Sequence, residues 1–252
     1  MTPPRLPHAH DTLPQGDEKV AAVRTMFDTI APRYDLVNRI MTFRMDVGWR
    51  QRAVSQLGLV PGSVVADLAC GTGDFCFELE RKAMVPIGFD LSFGMLAAAP
   101  RNFGRAQADA LALPLADGTL DGVTCGFALR NFVELDGFFN ELARVVRPGG
   151  RISLLDVAQP PNPLLKFGHG LYFGKVVPFV GGLLSDKSAY RYLPKSVAYL
   201  PEPEQIVDML RAAGFGDAHR TLLSMGISQL FTGTRNRPDD SAPSKPVANP
   251  QT

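Results

Sequence analysis

The sequence predicts an α/β fold with a doubly wound, mostly parallel seven-stranded sheet, and two observations lead to it. Short apolar runs alternate with helical patterns along most of the chain, which is typical of βαβ units. The last two apolar runs, Ala218–Ser224 and Gln229–Thr234, are separated by a short turn and therefore predict an antiparallel hairpin that closes the sheet. Helices at the N-terminus and an aromatic insertion complete the predicted architecture.

The predicted elements follow one another in a regular order. Three helical patterns come first, at Lys19–Ile30, Asp35–Phe43 and Asp46–Leu57, and the aspartates that open the second and third are expected to cap them. The predicted strands are Ser63–Ala69, Met84–Asp90, Phe103–Ala108, Asp121–Phe127 and Arg151–Val157, and the helices among and after them are Gly71–Lys82, Ser92–Ala99, Leu135–Val146 and Pro201–Ala213. Ser92 is expected to cap its helix, and Pro148-Gly149-Gly150 to end the helix before the fifth strand.

Domain limits follow from composition. Residues 1–16 and 236–252 are rich in proline and polar residues and are predicted to be disordered, which leaves one domain over residues 17–235. Residues 159–200 break the alternation and are predicted to form a lid inserted at the carboxyl edge of the sheet, where ligands bind in this architecture. The most apolar stretch of this insertion, Val176–Leu184, is shorter than the ~20 residues of a membrane-spanning helix.

Charge and cysteine content exclude several functional classes. The formal net charge of +1 gives no field that selects nucleic acid, so no nucleic-acid partner is expected. The three cysteines, Cys70, Cys76 and Cys125, are too few and too unevenly spaced for a disulfide framework or a zinc site. The N-terminus has no apolar core and does not read as a secretory signal. These features predict a cytoplasmic protein without a metal.

A glycine-rich turn, Asp67-Leu68-Ala69-Cys70-Gly71-Thr72-Gly73-Asp74, follows the first predicted strand. Gly71 and Gly73 let a ligand approach the backbone closely. Asp90 ends the next strand about 20 residues after Gly71, where an acid accepts hydrogen bonds from ribose hydroxyls. Asp109-Ala110 follows the third strand and is placed to face an adenine ring. The turn therefore predicts a nucleoside-bearing ligand.

Two other nucleotide-binding classes fit this turn poorly. A dinucleotide site has the pattern G-x-G-x-x-G, but Cys76 occupies the third glycine position here, which disfavours a nicotinamide-dependent dehydrogenase. The chain also lacks the G-x-x-x-x-G-K-[ST] loop that grips phosphate. Asp74 suits a cationic amino group of an aminoacyl cofactor better than a pyrophosphate.

Taken in order, these segments and Leu142–Gly150 (LARVVRPGG) resemble the class I S-adenosylmethionine methyltransferases. The resemblance implies that S-adenosyl-L-methionine is the cofactor. The resemblance also implies where the cofactor binds. Its methionine part would lie near Asp67, Gly71, Thr72 and Gly73, its ribose at Asp90, and its adenine at Asp109 and Ala110.

Three further segments are similar to the UbiE/MenG/Coq5 family of quinone C-methyltransferases: Phe27–Asp35 (FDTIAPRYD), Gly126–Asn131 (GFALRN) and Ser188–Leu193 (SAYRYL). Gly126 stands where many members carry a small hydroxyl residue, so only its backbone is expected to contact the cofactor. Ala128 departs from the glycine that the family often has. The implied reaction is methylation of demethylmenaquinol to menaquinol, with the benzoquinol of ubiquinone biosynthesis or a phytyl-naphthoquinol as alternatives.

The implied chemistry assigns roles to Tyr34, Arg130 and Asn131. Methylation of a ring carbon needs an electron-rich hydroquinone, and a phenol with a pKa near ~10 must be deprotonated or stabilised as phenolate. The permanent charge of Arg130 suits that stabilisation, Asn131 would orient the same oxygen, and Tyr34 would donate to the other ring oxygen. The general base is not identified beyond Asp35 or a water molecule. The alternatives are that Tyr34 belongs to a helix start and that Arg130 pairs with a carboxylate of the lid.

The aromatic insertion indicates the physical form of the substrate. Its apolar side chains exceed what covering the sheet edge requires, so part of them is predicted to line a groove for an isoprenoid tail. Lys166, Lys175 and Lys187 lie among them and could meet anionic headgroups, which predicts transient docking at the inner face of the cell membrane. An apolar lid is also compatible with a homodimer. A non-catalytic, cofactor-binding regulator is the remaining alternative, and the presence of Tyr34, Arg130 and Asn131 counts against it.

Overall fold

A computed structural model describes residues 16–172 and 200–237 of the chain. The strands are β1 Val64–Leu68, β2 Val85–Asp90, β3 Gly104–Gln107, β4 Leu120–Gly126, β5 Val146–Val157, β6 His219–Leu223 and β7 Ser228–Thr234. They form one sheet in the order β3-β2-β1-β4-β5-β7-β6, with β7 antiparallel to both of its neighbours and the other pairs parallel. The predicted seven-stranded fold and its closing hairpin are confirmed.

Eight α-helices lie within the described residues. They are α1 Gly16–Ile30, α2 Tyr34–Met41, α3 Met45–Leu57, α4 Asp74–Arg81, α5 Phe93–Ala97, α6 Leu135–Val145, α7 Pro163–Leu171 and α8 Pro203–Ala212. Short 3-10 turns lie at Ala31–Arg33, Leu129–Asn131 and Ser224–Gly226.

Each face of the sheet is covered by helices whose apolar spacing explains their placement. On one face, α6 buries Phe138, Phe139 and Leu142 against β4 and β5, together with the apolar side of α8. On the other face, α3 buries Trp49 and Leu57 and packs with α4. Residues three or four apart share one side of a helix, so these patterns give each helix a single buried stripe. The result places the carboxyl ends of β1, β2 and β4 beside α1 and α2.

Two predicted helix caps are wrong. The structure begins α2 at Tyr34 and α3 at Met45, so Asp35 and Asp46 lie in the first turns and not at the caps, which are Arg33 and Arg44 without a side-chain cap bond. Asp46 is instead buried in an ion-pair cluster. The cap predicted at Ser92 is confirmed, since its hydroxyl accepts a hydrogen bond from the Met95 N–H at 3.1 Å.

Two predicted boundaries also move. The helix predicted over Gly71–Lys82 begins only at Asp74, because Gly71 and Gly73 have φ values of +57° and +94°, which no right-handed helix accommodates. The helix predicted to end at Pro148-Gly149-Gly150 ends at Val145, and that tripeptide lies within β5, whose start carries a register shift against β4.

Part of the sequence prediction falls outside the described residues. The termini predicted to be disordered lie there except for Gly16, which begins α1, and residues 236–237. The predicted lid is described only as far as α7 and Tyr172 and again from residue 200, so Val176–Leu184, Lys175, Lys187 and Ser188–Leu193 are outside.

Candidate active site

The site lies where the strand order reverses, between the carboxyl ends of β1 and β4. Each of these strands is followed by a residue other than glycine in the left-handed region: Ala69 has φ +52° and Phe127 has φ +59°. Such backbone costs about 1–3 kcal/mol per residue and clusters at ligand-binding sites. In open α/β sheets this reversal point is the usual ligand position.

A crevice opens at this point, called here the sheet-edge crevice. It is lined by the ends of β1, β2 and β4, by the loop after β3 and by α1. Its lining includes the predicted residues Asp67, Gly71, Thr72, Asp90, Asp109, Ala110, Gly126 and Asn131, together with Tyr34, Arg50, Phe127 and Phe132. The structure therefore brings together every predicted cofactor residue except Gly73, which lies in the turn directly behind the lining.

The glycine turn is fixed by two close approaches. The Gly71 N–H donates to Asp90 Oδ2 at 2.7 Å, which ties the turn after β1 to the end of β2. At Gly73 a Cβ would lie 2.4 Å from the Phe103 ring, so the turn admits no side chain at that position. Positive φ favours glycine at both positions, and at Gly73 the Phe103 ring also occupies the space that a Cβ would take.

Asp67 forms the floor of the crevice and is almost completely buried. Its Oδ1 accepts a hydrogen bond from the Thr124 hydroxyl at 2.9 Å, and the Cys76 thiol lies 3.8 Å from its Oδ2. Burial raises the pKa of Asp67 to about 8, and the hydrogen bond from Thr124 only partly opposes that rise. The floor of the crevice therefore holds a carboxyl group that is largely protonated at neutral pH.

Asp90 and Asp109 are oriented by backbone donors. Asp90 accepts from Gly71 N–H and, through Oδ1, from Ser92 N–H at 2.7 Å. Each carboxylate oxygen has a further acceptor site, so a ligand hydroxyl can still be bound. Burial raises the pKa of Asp90, and the two backbone N–H donors oppose the rise. Asp109 is exposed and accepts from Leu111 N–H at 2.9 Å, which turns its side chain toward its own loop.

The structure explains why glycine stands at position 126. A Cβ there would lie 2.6 Å from the ring of Phe75, which packs over the end of β4. A larger residue would have to displace that ring, and Phe75 also lines the crevice. This agrees with the expectation that position 126 offers only its backbone.

Helix α1 covers the crevice and is fastened at both ends. The buried Lys19 amine donates to the Phe132 carbonyl at 2.7 Å, and burial lowers the pKa of Lys19 to about 8. Further along α1, Asp28 Oδ1 accepts from the Ser92 hydroxyl and from Gly94 N–H at 2.8 Å. Sequence reasoning missed both anchors, because a charged residue in an amphipathic helix normally indicates its solvent face.

A second opening, called here the apolar cavity, lies beside the crevice between α2, α3, α7 and the turn between β6 and β7. It has a volume of about 370 Å³. Its walls include Met41, Met45, Trp49, Val157, Leu164, Leu165, Met225 and Ile227. The Tyr172 hydroxyl donates to the Met41 carbonyl at 2.8 Å and joins the end of α7 to the end of α2. A cavity with mainly apolar walls suits an apolar ligand.

The two openings share Tyr34, Arg50 and Phe127. Arg50 belongs to a cluster of four charged residues: Arg39 and Arg50 each contact both Asp46 and Asp74. Its guanidinium carbon lies 5.4 Å from the centre of the Phe127 ring. Asp74, predicted to meet a cationic amino group, lines the crevice and is held by both arginines. The charge of Arg50 at the shared wall is therefore balanced within the cluster by Asp46 and Asp74.

The three predicted catalytic residues are close in the fold but face different openings. Tyr34 lines both, Arg130 lines the apolar cavity, and Asn131 lines the crevice. Burial raises the pKa of Tyr34, while Arg50 and Arg130 oppose the rise, so Tyr34 is a neutral hydrogen-bond donor at neutral pH. Arg130 pairs with Asp156 of β5 at 2.6 Å. The alternative that Arg130 pairs with a carboxylate of the lid concerns residues outside the described ones; within them, its ion-pair partner is Asp156 of the sheet.

Sequence reasoning predicted the turn between β6 and β7 but not that it forms part of the cavity wall. Ser224 and Met225 have φ values of +48° and +57°, and Gly226 follows at +91°. The Trp49 indole N–H donates to the Ser224 hydroxyl at 2.8 Å, and a Cβ on Gly226 would lie 2.7 Å from Pro161. The strained turn holds Met225 at the apolar cavity. The only signal in the sequence was the glycine of SMGIS, which indicates a turn and no site.

Within residues 16–172 and 200–237, no group of three or more His, Cys, Asp or Glu side chains is arranged to hold a metal ion. The helices of the same residues include none that is both long and apolar enough to cross a membrane.

Comparison with known proteins finds methyltransferases by sequence and by fold. The model of the ubiE/COQ5 methyltransferase family matches residues 15–235. The demethylmenaquinone methyltransferase of Thermus thermophilus is 41% identical over 83% of this chain and 100% of its own length. The ubiquinone/menaquinone biosynthesis C-methyltransferase UbiE of Syntrophotalea carbinolica is 40% identical over 86% of this chain and 95% of its own. Among solved structures, an S-adenosylmethionine-dependent methyltransferase of Thermotoga maritima has a TM-score of 0.60 at 19% identity, covering 84% of this chain and 99% of that one; this likeness bears on the fold alone.

Proposed function

This chain belongs to the ubiE/COQ5 methyltransferase family, and we propose that it transfers a methyl group from S-adenosyl-L-methionine to a ring carbon of demethylmenaquinol, giving menaquinol. The observation that carries the proposal is the wall shared by a crevice suited to a nucleoside and a cavity suited to an apolar ring. Two openings that border each other at Tyr34, Arg50 and Phe127 can bring donor and acceptor side by side, which a single displacement of methyl from sulfur to carbon requires. The match to a methyltransferase family rules out the alternative of a nicotinamide-dependent dehydrogenase.

S-adenosyl-L-methionine is placed in the sheet-edge crevice. Asp90 is oriented to accept from the ribose hydroxyls, and Ala110 and Asp109 flank the adenine position. The backbone after β1, with Gly71 and Thr72, surrounds the methionine part. The cofactor supplies an activated methyl group on a sulfonium, and the protein's part is to hold that group toward the shared wall.

The quinol ring is placed in the apolar cavity with one oxygen near Arg130. A guanidinium beside a phenol oxygen stabilises the phenolate, and the phenolate makes the ring carbon a better nucleophile. Tyr34, a neutral donor at the junction, is placed to hydrogen-bond to the other ring oxygen. Asn131 lines the crevice next to Arg130 in the chain, and its predicted role of orienting the same oxygen stays a prediction. The new C–C bond forms as the C–S bond breaks, and the ring proton leaves to solvent or a base.

A benzoquinol of ubiquinone biosynthesis is the second candidate acceptor. One relative with 40% identity bears a name that covers both quinones. Both quinols carry two ring oxygens that Arg130 and Tyr34 could contact, so the largely apolar remainder of the cavity wall would distinguish them mainly by ring size and shape. We place the naphthoquinol first because the relative with 41% identity is named for that acceptor alone.

The mouth of the apolar cavity suggests how an isoprenoid substrate arrives. Phe43, Leu164, Phe167 and Met225 are each more than 70% exposed around it. Exposed apolar side chains grouped on one surface indicate contact with a membrane or a partner, and the tail of the acceptor resides in the bilayer. The protein would dock there transiently, from the cytoplasmic side, and draw the ring into the cavity.

Cosedimentation with anionic liposomes tests the docking. Phe43→Ser with Phe167→Ser should weaken binding, whereas Val60→Ser, equally exposed after α3, should not. Light scattering distinguishes a homodimer through the same surface: loss of dimer without any loss of liposome binding would assign the surface to self-association instead.

The function itself is tested with labelled S-adenosylmethionine and reduced demethylmenaquinone or the benzoquinol precursor. We expect label in menaquinol. If neither acceptor is labelled while the protein still binds S-adenosylhomocysteine, the quinol proposal is wrong and only the methyltransferase assignment stands.

A further inference from the structure

The pairing of Arg130 involves a carboxylate that neither opening reaches. Asp156, near the end of β5, is fully buried and lines neither the sheet-edge crevice nor the apolar cavity. Its Oδ1 accepts from Arg130 Nη1 at 2.6 Å and from the Val157 N–H at 2.7 Å. Asp156 therefore binds the guanidinium of Arg130 from a position outside the apolar cavity, which Arg130 itself lines.

Stability does not explain this pair. Its carboxylate gives up all its hydration, and among the described residues no group donates to Asp156 Oδ2. Its cross-strand partner Gln229 likewise leaves Oε1 without a donor. Burial raises the pKa of Asp156, and the charge of Arg130 opposes the rise. A buried ion pair with an unsatisfied acceptor is generally no more stable than apolar residues of the same shape. Its position directly behind Arg130 points instead to a role in the site.

We propose that Asp156 is the positioning residue for Arg130, fixing the plane of its guanidinium against the apolar cavity so that it meets the quinol oxygen. The proposal rests on the proposed function, since it assumes that Arg130 faces a phenol oxygen. An arginine side chain has several rotatable bonds, and a hydrogen bond at one nitrogen together with burial restricts its orientation. A displacement of about 1 Å in such a group costs on the order of 10²-fold in rate.

Asp156 also sets the charge that the acceptor experiences. Its negative charge partly offsets the field of Arg130 at the quinol oxygen. Replacing Asp156 by the isosteric asparagine removes that charge and should make the phenolate easier to form. The acid limb of the kcat–pH profile should then move to lower pH, even though kcat at its plateau falls because the guanidinium is less well held. A defect in folding alone would lower kcat without moving the limb.

The test compares Asp156→Asn with Asp121→Asn. Asp121 has a similar set of partners, Arg147 at 2.6 Å and the Val64 N–H at 2.7 Å. It lies near the amino end of β4, away from the strand ends that line the two openings. We expect Asp156→Asn to lower kcat by about 10²-fold with the Kd of S-adenosylhomocysteine unchanged, and Asp121→Asn to leave both unchanged. Asp156→Glu, which restores the charge, should return the acid limb to its wild-type pH.

A double-mutant cycle protects the test against a variant that fails to fold. Removing Arg130 and Asp156 together takes away both members of the buried ion pair, so neither is left buried without the other. In the Arg130→Ala background, Asp156→Asn should cost no further kcat, since it acts through Arg130. Additive losses, or a single variant with wild-type kcat and an unmoved acid limb, would overturn the proposal. If the wild-type protein methylates no quinol, the proposed function fails instead, and the two failures are distinguishable.

Discussion

The sheet-edge crevice is lined mainly by residues at or just after the ends of neighbouring strands, whereas the apolar cavity is lined mainly by residues of α2, α3, α7 and the turn between β6 and β7. The crevice residues lie on consecutive strand–turn units, so their positions follow from local structure. The cavity residues meet only because the domain folds, since Trp49 and Ser224 are far apart in the chain yet hydrogen-bonded. We therefore expect the crevice to determine which methyl donor binds. Substitution of a few cavity side chains could change which acceptor binds.

The comparison predicts that the two regions fail separately, and Arg130→Ala should show the largest effect. Loss of a positioned donor to a developing oxyanion typically lowers kcat by about 10²–10³-fold. Because Arg130 lines only the apolar cavity, the Kd of S-adenosylhomocysteine should stay within about twofold, as measured by calorimetry. Arg147→Ala, at the opposite edge of the sheet, is the matched control. Parallel loss of catalysis and cofactor binding would show that the two regions are not separable.

Gly73→Ala should produce the opposite result. The new methyl group would have to displace the Phe103 ring, and φ +94° is strained for alanine. We expect the cofactor Kd to rise about tenfold or more (at least 1.4 kcal/mol), while kcat at saturating cofactor changes less. Gly58→Ala, with φ +61° and nothing within 4 Å of its Cβ, carries the strain without the collision. Equal effects of the two variants on cofactor binding would attribute the loss to strain alone.

The buried carboxyl group on the floor of the crevice predicts that the stability of the protein depends on pH. The pKa of Asp67 is raised from 3.8 to about 8, so the folded state holds a proton that the unfolded state has released between these values. The contribution of Asp67 to stability is present at low pH and is lost as pH rises toward 8, by up to about 1.4 kcal/mol per pH unit. Urea unfolding of the cofactor-free protein should show a smaller decline across this window for Asp67→Asn. Identical pH slopes for the variant and the wild type would mean that Asp67 is ionised in the folded protein.

The smallest effect is expected at Lys19. Lys19→Met removes the hydrogen bond that fastens α1 to the Phe132 carbonyl, worth about 1 kcal/mol. The cofactor Kd should rise by roughly fivefold with kcat unchanged, since α1 covers only the crevice. Arg24→Met, on the exposed side of the same helix, should leave the Kd at its wild-type value. A fall in kcat without a change in Kd would mean that α1 also orders the apolar cavity.

More of the crevice than of the cavity could be predicted from the sequence, and the reason is physical. Strand ends, glycine turns and an aspartate about 20 residues on are local features, so Asp67, Gly71, Thr72 and Asp90 could be placed before the fold was known. The position of Arg50 could not be predicted, because its ion pairs with Asp46 and Asp74 form only in the folded protein. The partner of Arg130 was missed for the same reason.

Helix starts show the limit of local patterns in another way. An aspartate before an apolar run usually caps a helix, but Asp46 is drawn into the charge cluster with Arg39 and Arg50, and the helix begins one residue earlier. Tertiary ion pairing overrides the local preference there. At Ser92, where no such cluster competes for the hydroxyl as an acceptor, the local cap forms as predicted.

A crystal structure of the protein with S-adenosylhomocysteine and a demethylmenaquinol analogue tests most directly that the two openings are halves of one site. We predict the nucleoside in the sheet-edge crevice, the quinol ring in the apolar cavity beside Arg130, and the cofactor sulfur facing a ring carbon past Tyr34 and Phe127. A ring bound outside the apolar cavity, or separated from the sulfur by an intact wall, would contradict direct methyl transfer at this junction.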